Sequence, residues 1–170
     1  MMPSRWTRKA LAWSLLAAAP VSAAYDANGV ALGASEEAIR KGFPGAHCKA
    51  LEWTSRAADR RCDEAKAVVG GVNGRITFYL RQGKVQAFDL RFDGKDAPRM
   101  AQFLKTRYGT PSAEDRGEVQ APRGKPPREI YKVRWEKGGE RAVMTSAAER
   151  RRASLTVSRG DFDEEIYRVR

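Results

Sequence analysis

Two neighbouring segments in which apolar and polar residues alternate strictly constrain the fold of this chain more than any other feature. The segments cover residues 75–81 and 85–92, and Gln82-Gly83-Lys84 between them suits a tight hairpin turn. A period of two is typical of a strand with one buried side. The apolar positions are Ile76, Phe78, Leu80, Phe88, Leu90 and Phe92. Such a hairpin predicts an antiparallel sheet with one face against the core and the other in water.

Two further stretches predict short helices. Ser35 can cap a helix over 36–41, and Gly42 can end it. In 97–108 the apolar residues recur at the spacing of one helix face, and Asp96 can cap the start of that helix. These apolar residues are Ala97, Met100, Ala101, Leu104 and Tyr108. Strands and helices together predict an α+β fold, an antiparallel β-sheet with two helices packed on one face.

The second half of the chain predicts more strand and one loop. Residues 112–129 are polar and rich in Pro and Gly, which favours a mobile loop within a single domain over 25–170. Strands are expected over about 130–158, with a hairpin turn at 137–140. Because a helix precedes strands twice, the order suggests a duplicated helix-plus-strands unit. The tail from Asp161 fits either a helix or a strand.

The first 24 residues (1–24) have the composition of a secretory signal peptide. Three cations precede an apolar run over 10–19, and small residues then form a cleavage site. The run is short, whereas a membrane-spanning helix needs roughly 20 apolar residues. We therefore expect cleavage after Ala23 or Ala24, a periplasmic or secreted protein, and no transmembrane segment. Because Tyr25 follows the cut where a lipoprotein would have Cys, no lipid anchor is expected.

The net charge of the chain bears on its partners. Its 32 Lys and Arg exceed its 21 Asp and Glu, and the formal net charge is +11. Loss of the leader would remove three cations and no carboxylates. A positive excess favours an acidic partner, such as an acidic envelope protein, lipopolysaccharide phosphates or anionic lipids. A solubilising surface without a partner explains the scattered cations equally well, and export argues against nucleic acid.

The two cysteines, Cys48 and Cys62, are expected to form a disulfide after export into an oxidising compartment. The bridge would close a loop of about 15 residues, which corresponds to roughly 3 kcal/mol of stability in the chain-entropy view. Because this spacing is far from Cys-x-x-Cys, a role in thiol exchange is not expected.

The sequence offers no convincing catalytic or metal-binding group. His47 is the one histidine and adjoins Cys48, but neighbouring strand residues point to opposite faces. A zinc site needs three or four ligands at suitable spacing. Asp89 and Asp93 could form the carboxylate pair of a glycoside hydrolase, although charge on a solvent face explains them as well. We expect no catalytic residue, no metal and no cofactor.

Aromatic and cationic side chains are the best candidates for a binding surface. Tyr79 lies on the polar side of its predicted strand, and exposed Tyr beside Arg is a common composition of protein interfaces. The one compact cationic run of the chain lies just before the last predicted strand. The predicted surface therefore comprises Tyr79, Arg81, Arg150, Arg151 and Arg152. Trp135 is expected to pack in the core.

The two helix regions carry a resemblance to known proteins. One reads Leu32-Gly-Ala-Ser-Glu-Glu-Ala-Ile39 and ends at Phe43-Pro44, and the other ends Leu104-Lys-Thr-Arg-Tyr-Gly-Thr-Pro111. Both resemble small exported modules in which helices precede a three-stranded antiparallel sheet. These are the small lipoprotein of the outer-membrane β-barrel assembly complex and the β-lactamase-inhibitor-like proteins. The resemblance implies an envelope binding or scaffolding module rather than an enzyme.

The sequence thus predicts a periplasmic or secreted binding or scaffolding protein of the bacterial cell envelope. It would act by protein–protein interaction, with another envelope protein of acidic character as partner. The alternative is a proteinaceous inhibitor of a secreted or periplasmic hydrolase. The two hypotheses differ in the partner that the protein would hold.

The leader predicts the start of the exported protein. N-terminal sequencing of the protein recovered from the periplasm or medium should begin at Ala24 or Tyr25. An exported product that still begins at Met1 would contradict this prediction.

Overall fold

The structure is a computed structural model that describes residues 25–120, 124, 127–147 and 151–168. The predicted leader therefore lies outside the described residues. Within them the strands are β1 (Asp26–Ala27), β2 (Val30–Ala31), β3 (His47–Ala50), β4 (Arg60–Val69), β5 (Val72–Arg81), β6 (Lys84–Phe92), β7 (Ala113–Val119), β8 (Arg128–Lys137), β9 (Glu140–Ala147) and β10 (Ala153–Arg159). The helices are α1 (Glu36–Gly42), α2 (Ala97–Tyr108) and α3 (Phe162–Glu165), and a 3₁₀ turn over Gly94–Asp96 precedes α2.

Eight of these strands form one antiparallel sheet in the order β3-β4-β5-β6-β10-β9-β8-β7. The sheet consists of two four-stranded meanders, and the last strand of one pairs with the last strand of the other. In this central pairing Leu90 lies opposite Leu155, and Phe88 lies opposite Val157. Helix α2 connects the meanders, so the chain passes from β6 at the centre of the sheet to β7 at an outer edge.

The predicted α+β class with two packed helices is wrong. Within the described residues the protein is mostly β, with 51% strand and 19% helix, and the one substantial helix there is the 15-residue segment formed by the 3₁₀ turn and α2. Helix α1 begins and ends close to the predicted residues, but it has seven residues and buries only Ile39. Two turns of helix are too short to cover half of an eight-stranded sheet.

A hairpin formed by β1 and β2 covers part of the apolar sheet face, on which the second predicted helix, over 36–41, was expected to pack. Its turn is Asn28-Gly29, and both residues have positive φ, as a two-residue hairpin turn requires. The hairpin buries Tyr25, Ala27, Val30 and Leu32 in the main core. An ion pair between Asp26 and Arg107 of α2, with two contacts of 2.9 Å, fixes its position.

The strongest sequence patterns led to correct elements. The hairpin of β5 and β6 turns at Gln82-Gly83 with positive φ at both residues, and α2 has the predicted bounds. The turn between β8 and β9 lies at Gly138-Gly139. Trp135 is buried in the main core as predicted, and its Nε1 donates to the carbonyl oxygen of Gly109 over 2.9 Å.

Two strands of the eight-stranded sheet were missed because neither shows regular alternation. In β4 a register shift between Glu64 and Ala67 places an extra residue in the strand, which breaks the period of two. Strand β7 is polar and almost wholly exposed, because it pairs only with β8 at the sheet edge. The loop predicted near 112–129 is therefore strand over 113–119. Of the remainder, 121–123 and 125–126 lie outside the described residues, and β8 begins at Arg128.

The disulfide between Cys48 and Cys62 is confirmed. The two cysteines are directly opposite each other on β3 and β4, and their Cα atoms are 3.9 Å apart. The bridge thereby ties the short edge strand β3 to the rest of the sheet. Within the described ranges, no helix has the length and apolar character that a membrane crossing requires.

The disulfide predicts a loss of stability when it is removed. The double substitution Cys48→Ala, Cys62→Ala should lower the free energy of unfolding by about 3 kcal/mol, because the unfolded chain gains the freedom of a loop of about 15 residues. Urea unfolding of both proteins measures the difference. Dithiothreitol should destabilise the wild type and leave the variant unchanged. Equal stability of the variant and the oxidised wild type would contradict the prediction.

Candidate functional site

The face of the sheet opposite α2 carries polar side chains across most of its width. Directly paired residues form one row across six strands: Asp63, Thr77, Asp89, Thr156, Val143 and Arg134. The neighbouring row is Arg75, Arg91, Ser154, Thr145 and Lys132. We call these two rows the open face. Its second row holds three cations, and Asp115 of β7, opposite Lys132, continues that row at the sheet edge.

The carboxylates of the open face are held by neighbouring side chains. Thr77 Oγ1 donates to Asp63 Oδ1 over 2.7 Å, and Thr156 Oγ1 donates to Asp89 Oδ1 over 3.1 Å. Arg91 Nε also donates to Asp89 Oδ2 over 2.8 Å. Asp93, the suggested partner of Asp89 in glycoside chemistry, instead accepts from the Lys95 amide over 3.0 Å and caps the 3₁₀ turn. Each of these carboxylates thus has a local structural role.

A small second core covers the sheet next to the open face. Phe162 and Ile166, in and just after α3, pack with Ala58 and Ala87. Trp53 Nε1 donates to the Ile166 carbonyl oxygen over 2.9 Å, which holds the C-terminal segment down. The end of the β5–β6 hairpin is therefore shielded from solvent on both faces.

Tyr79 belongs to this second core. Its ring centroid lies 5.5 Å from that of Phe162, and the residue is half-buried. Burial beneath Phe162 raises the pKa of the Tyr79 hydroxyl above its ordinary value. Tyr79 is thus on the polar side of β5, as its position in the alternation indicated, but α3 packs over it.

A cleft of about 720 Å³ lies at the opposite end of the open face. Cations from three separate segments line it: one from the irregular part of β4, two from the β5–β6 hairpin and two from the turn before β10. We call this the basic cleft, and its cations are Lys66, Arg75, Arg91, Arg151 and Arg152. Asp93 is the one carboxylate that lines it.

The charges of the basic cleft are poorly compensated within the described residues. Arg91 pairs with Asp89, and this hydrogen bond raises the pKa of the guanidinium above its ordinary value. Asp93 is drawn toward Lys95, with 3.7 Å between Nζ and Oδ2. No ion pair in the described part of the chain involves any of the other four cleft cations, Lys66, Arg75, Arg151 and Arg152.

Arg75 and Arg91 are directly opposite each other on β5 and β6. Like charges at directly paired positions of an antiparallel sheet destabilise it, by an amount within the roughly 0.2–1 kcal/mol range of cross-strand pairs. Residues that break a local rule without benefit to the fold are expected at functional sites. This pair therefore marks the basic cleft as the strongest candidate site of the described surface.

The predicted binding surface does not come together as one patch. Arg81 is exposed and lines a different cleft, next to α3, with Arg56 and Arg159. Arg151 and Arg152 are exposed in the basic cleft, and Arg150 lies outside the described residues. Tyr79 and Arg81 are thus separated from the Arg run by the length of the hairpin.

Sequence reasoning missed Lys66, Arg75 and Arg91 as site residues. A usable signal existed for the two arginines, because both lie on the polar sides of strongly alternating strands joined by a tight turn. Aligning the apolar sides of β5 and β6 places them in register. A count back from the turn would not, because the pairing shifts by one residue between Tyr79 and Leu80. Lys66 gave no such signal, since it lies where the pairing of β4 is irregular.

One group of potential metal ligands occurs among the described residues, but it does not suit a metal in the oxidised protein. The ligand atoms of Glu36, Cys48 and Cys62 lie within 4.8 Å of one another. Both sulfur atoms are bonded to each other, and Glu36 accepts hydrogen bonds from Arg40 and Arg60. Because thiolates rather than a disulfide bind metals, this cluster is structural.

Comparison with protein-family models, with curated proteins and with solved structures found no match for this chain. The resemblance to small exported modules accordingly stays a prediction. The case for a function rests on the open face and the basic cleft.

The opposed arginines predict an unusual response to charge removal. Arg75→Gln should leave the free energy of unfolding unchanged or raise it by up to about 1 kcal/mol at low salt, because it relieves repulsion with Arg91. Urea unfolding at 20 and 500 mM NaCl, chosen as low and high salt, tests this, and any gain should shrink at high salt.

The matched control is Arg40→Gln on α1, which loses the 2.7 Å ion pair with Glu36. Since that pair is attractive, its loss should lower stability by a few tenths of a kcal/mol, opposite in sign to the effect at Arg75. A clear destabilisation by Arg75→Gln would show that the repulsion is not significant.

Proposed function

We propose that this protein is a non-enzymatic binding protein that holds an acidic partner protein against its open face. The observation that carries the proposal is the second row of that face, where Arg75, Arg91 and Lys132 outnumber the one carboxylate that continues the row, Asp115 on β7. The row spans five strands of a continuous sheet, so the backbone positions of its charged residues are fixed. A preorganised surface loses little conformational freedom when a partner binds.

Charge complementarity favours an acidic partner. The formal net charge of +11 produces a positive field around the molecule, and the open face concentrates part of it on one surface. Complementary potentials accelerate encounter and suppress binding of partners with the wrong charge. Thr77, Thr145 and Thr156 add short side chains between the charged ones, which suits close approach of another protein surface.

The polar groups of the open face support binding better than catalysis. Asp63 and Asp89 accept hydrogen bonds from threonines, and Asp89 also pairs with Arg91. General acid–base catalysis needs a group that is free to exchange a proton with a substrate. His47 is exposed on β3 opposite Asp63, away from the basic cleft. These arrangements favour a surface that recognises a partner and leaves it chemically unchanged.

The cell envelope is the setting that fits this role. The disulfide is compatible with an oxidising compartment, and the predicted leader would deliver the chain there. We propose a role in envelope assembly or maintenance, in line with the resemblance of the helix regions to small exported modules. In this role the protein would dock onto an acidic envelope protein.

Site-specific photo-crosslinking tests the proposed function. A benzophenone side chain at Thr145, in the open face, should yield one dominant protein adduct in periplasmic extract. The adduct should decrease several-fold between 50 and 300 mM NaCl, because screening shortens the reach of surface charges. Adduct bands on denaturing gels, identified by mass spectrometry, give the measurement.

The control label is at Gln102, which is exposed on α2 on the other side of the sheet. The same adduct in equal yield from Gln102, or an adduct insensitive to salt, would contradict binding through the open face. The identity of the adduct separates the two kinds of partner. Envelope assembly machinery fits the proposed role, whereas one soluble hydrolase recovered in stoichiometric amount would make the protein an inhibitor.

A further inference from the structure

We propose that the basic cleft is a binding site for a phosphate group, an activity beyond the proposed docking of an acidic protein on the open face. The site would comprise Lys66, Arg75, Arg91, Arg151 and Arg152. The class of ligand is a phosphate borne by a soluble phosphomonoester, by pyrophosphate or by a lipid head group.

The convergence of separate chain segments is the first reason. The cations of the cleft come from β4, from the β5–β6 hairpin and from the turn before β10, which are far apart in sequence. Bringing cations together costs Coulomb energy. On a surface without a ligand, cations are therefore expected to lie apart from one another. Five cations around one concave volume therefore indicate a site that gains its stability from an anion.

The floor of the cleft is the second reason. Gly74 lines it and pairs with Phe92, and a Cβ added at Gly74 would lie 2.5 Å from the carbonyl oxygen of Arg91. Only glycine therefore fits where β5 passes β6 at this point. The close approach of the strands keeps Arg75 and Arg91 side by side despite their repulsion.

The arrangement of the carboxylates is the third reason. Asp89 accepts a hydrogen bond from Arg91 Nε. This bond orients the guanidinium and leaves its two terminal nitrogens free to donate to a ligand. Asp93 accepts from the Lys95 amide and lies 3.7 Å from the Lys95 ammonium, so it shares its charge with a cation outside the cleft. Thus one of the two nearby carboxylates orients a cation of the cleft, and the other caps the 3₁₀ turn.

The amount of charge favours phosphate over a single carboxylate. A phosphomonoester carries about −1.5 to −2 charges at pH 7 and three acceptor oxygens, so it can engage several cations at once. The planar guanidinium matches the geometry of two phosphate oxygens. The volume of about 720 Å³ lies within the ordinary range for small-ligand sites, and it leaves room for the carrier of the phosphate.

Calorimetric titration of the intact exported protein with sodium pyrophosphate and with inorganic phosphate, at 20 mM NaCl, tests the proposal. Both should bind, and the variant Arg75→Gln, Arg91→Gln should weaken binding at least tenfold. The matched control Arg40→Gln, Lys41→Gln removes two cations from α1 and should change binding less than twofold. Urea unfolding of each variant verifies that it is folded.

Acetate at the same ionic strength is the ligand control and should not bind measurably. Equal binding of acetate and phosphate, or phosphate binding unaffected by the double Arg substitution, would overturn the proposal. Binding of a poly-glutamate peptide in the cleft without any binding of phosphate would also overturn it and would assign the cleft to an acidic protein. None of these three results decides the outcome of the crosslinking test at Thr145, so the two proposals can fail separately.

Vesicles distinguish the sources of the phosphate. The protein should sediment with vesicles of phosphatidic acid in phosphatidylcholine, and pyrophosphate should release it, if a lipid head group is the carrier. Binding of pyrophosphate without sedimentation would support the proposal with a soluble ligand. Sedimentation that is unchanged by the double Arg substitution would show membrane binding outside the cleft and would count against the lipid form of the proposal.

Discussion

The pairing of β6 with β10 at the centre of the sheet is the contact on which the rest of the structure depends. It joins the two meanders, which also share α2 and the main core, and it aligns Leu90 with Leu155 and Phe88 with Val157 on the buried side. Because side chains alternate between faces, the same register sets Asp89 beside Thr156 and Arg91 beside Ser154 on the polar side. One register therefore determines both the core and the open face, and a shift by one residue would destroy both.

The parts of the fold that could be predicted from the sequence are those with a strong local period. The β5–β6 hairpin and α2 each show that period over several residues, and their bounds were nearly correct. Strand β4 was missed because its extra residue interrupts the alternation, and β7 because an exposed edge strand has no buried side to mark it. The β1–β2 hairpin carries a known signal in Asn28-Gly29, but its strands have only two residues each.

The candidate site could be predicted less well, because it depends on the pairing of distant segments. The sequence indicated the polar sides of β5 and β6 but not that Arg151 and Arg152 approach Arg75 and Arg91. That approach results from the long-range pairing of β10 with β6, which local patterns do not encode. In the same way, no local signal indicated that α3 packs over Tyr79, since this contact joins the chain terminus to a strand more than 80 residues earlier.

The two outer strands of the sheet have a consequence for the behaviour of the protein at high concentration. An uncovered strand edge can pair with another molecule. Here β3 is only four residues long and is fastened by the disulfide, and β7 carries Glu114, Asp115, Arg116 and Glu118. One edge strand is short and linked by a disulfide, and the other is charged. Both features oppose edge-to-edge association between molecules while the polar face of the sheet remains accessible.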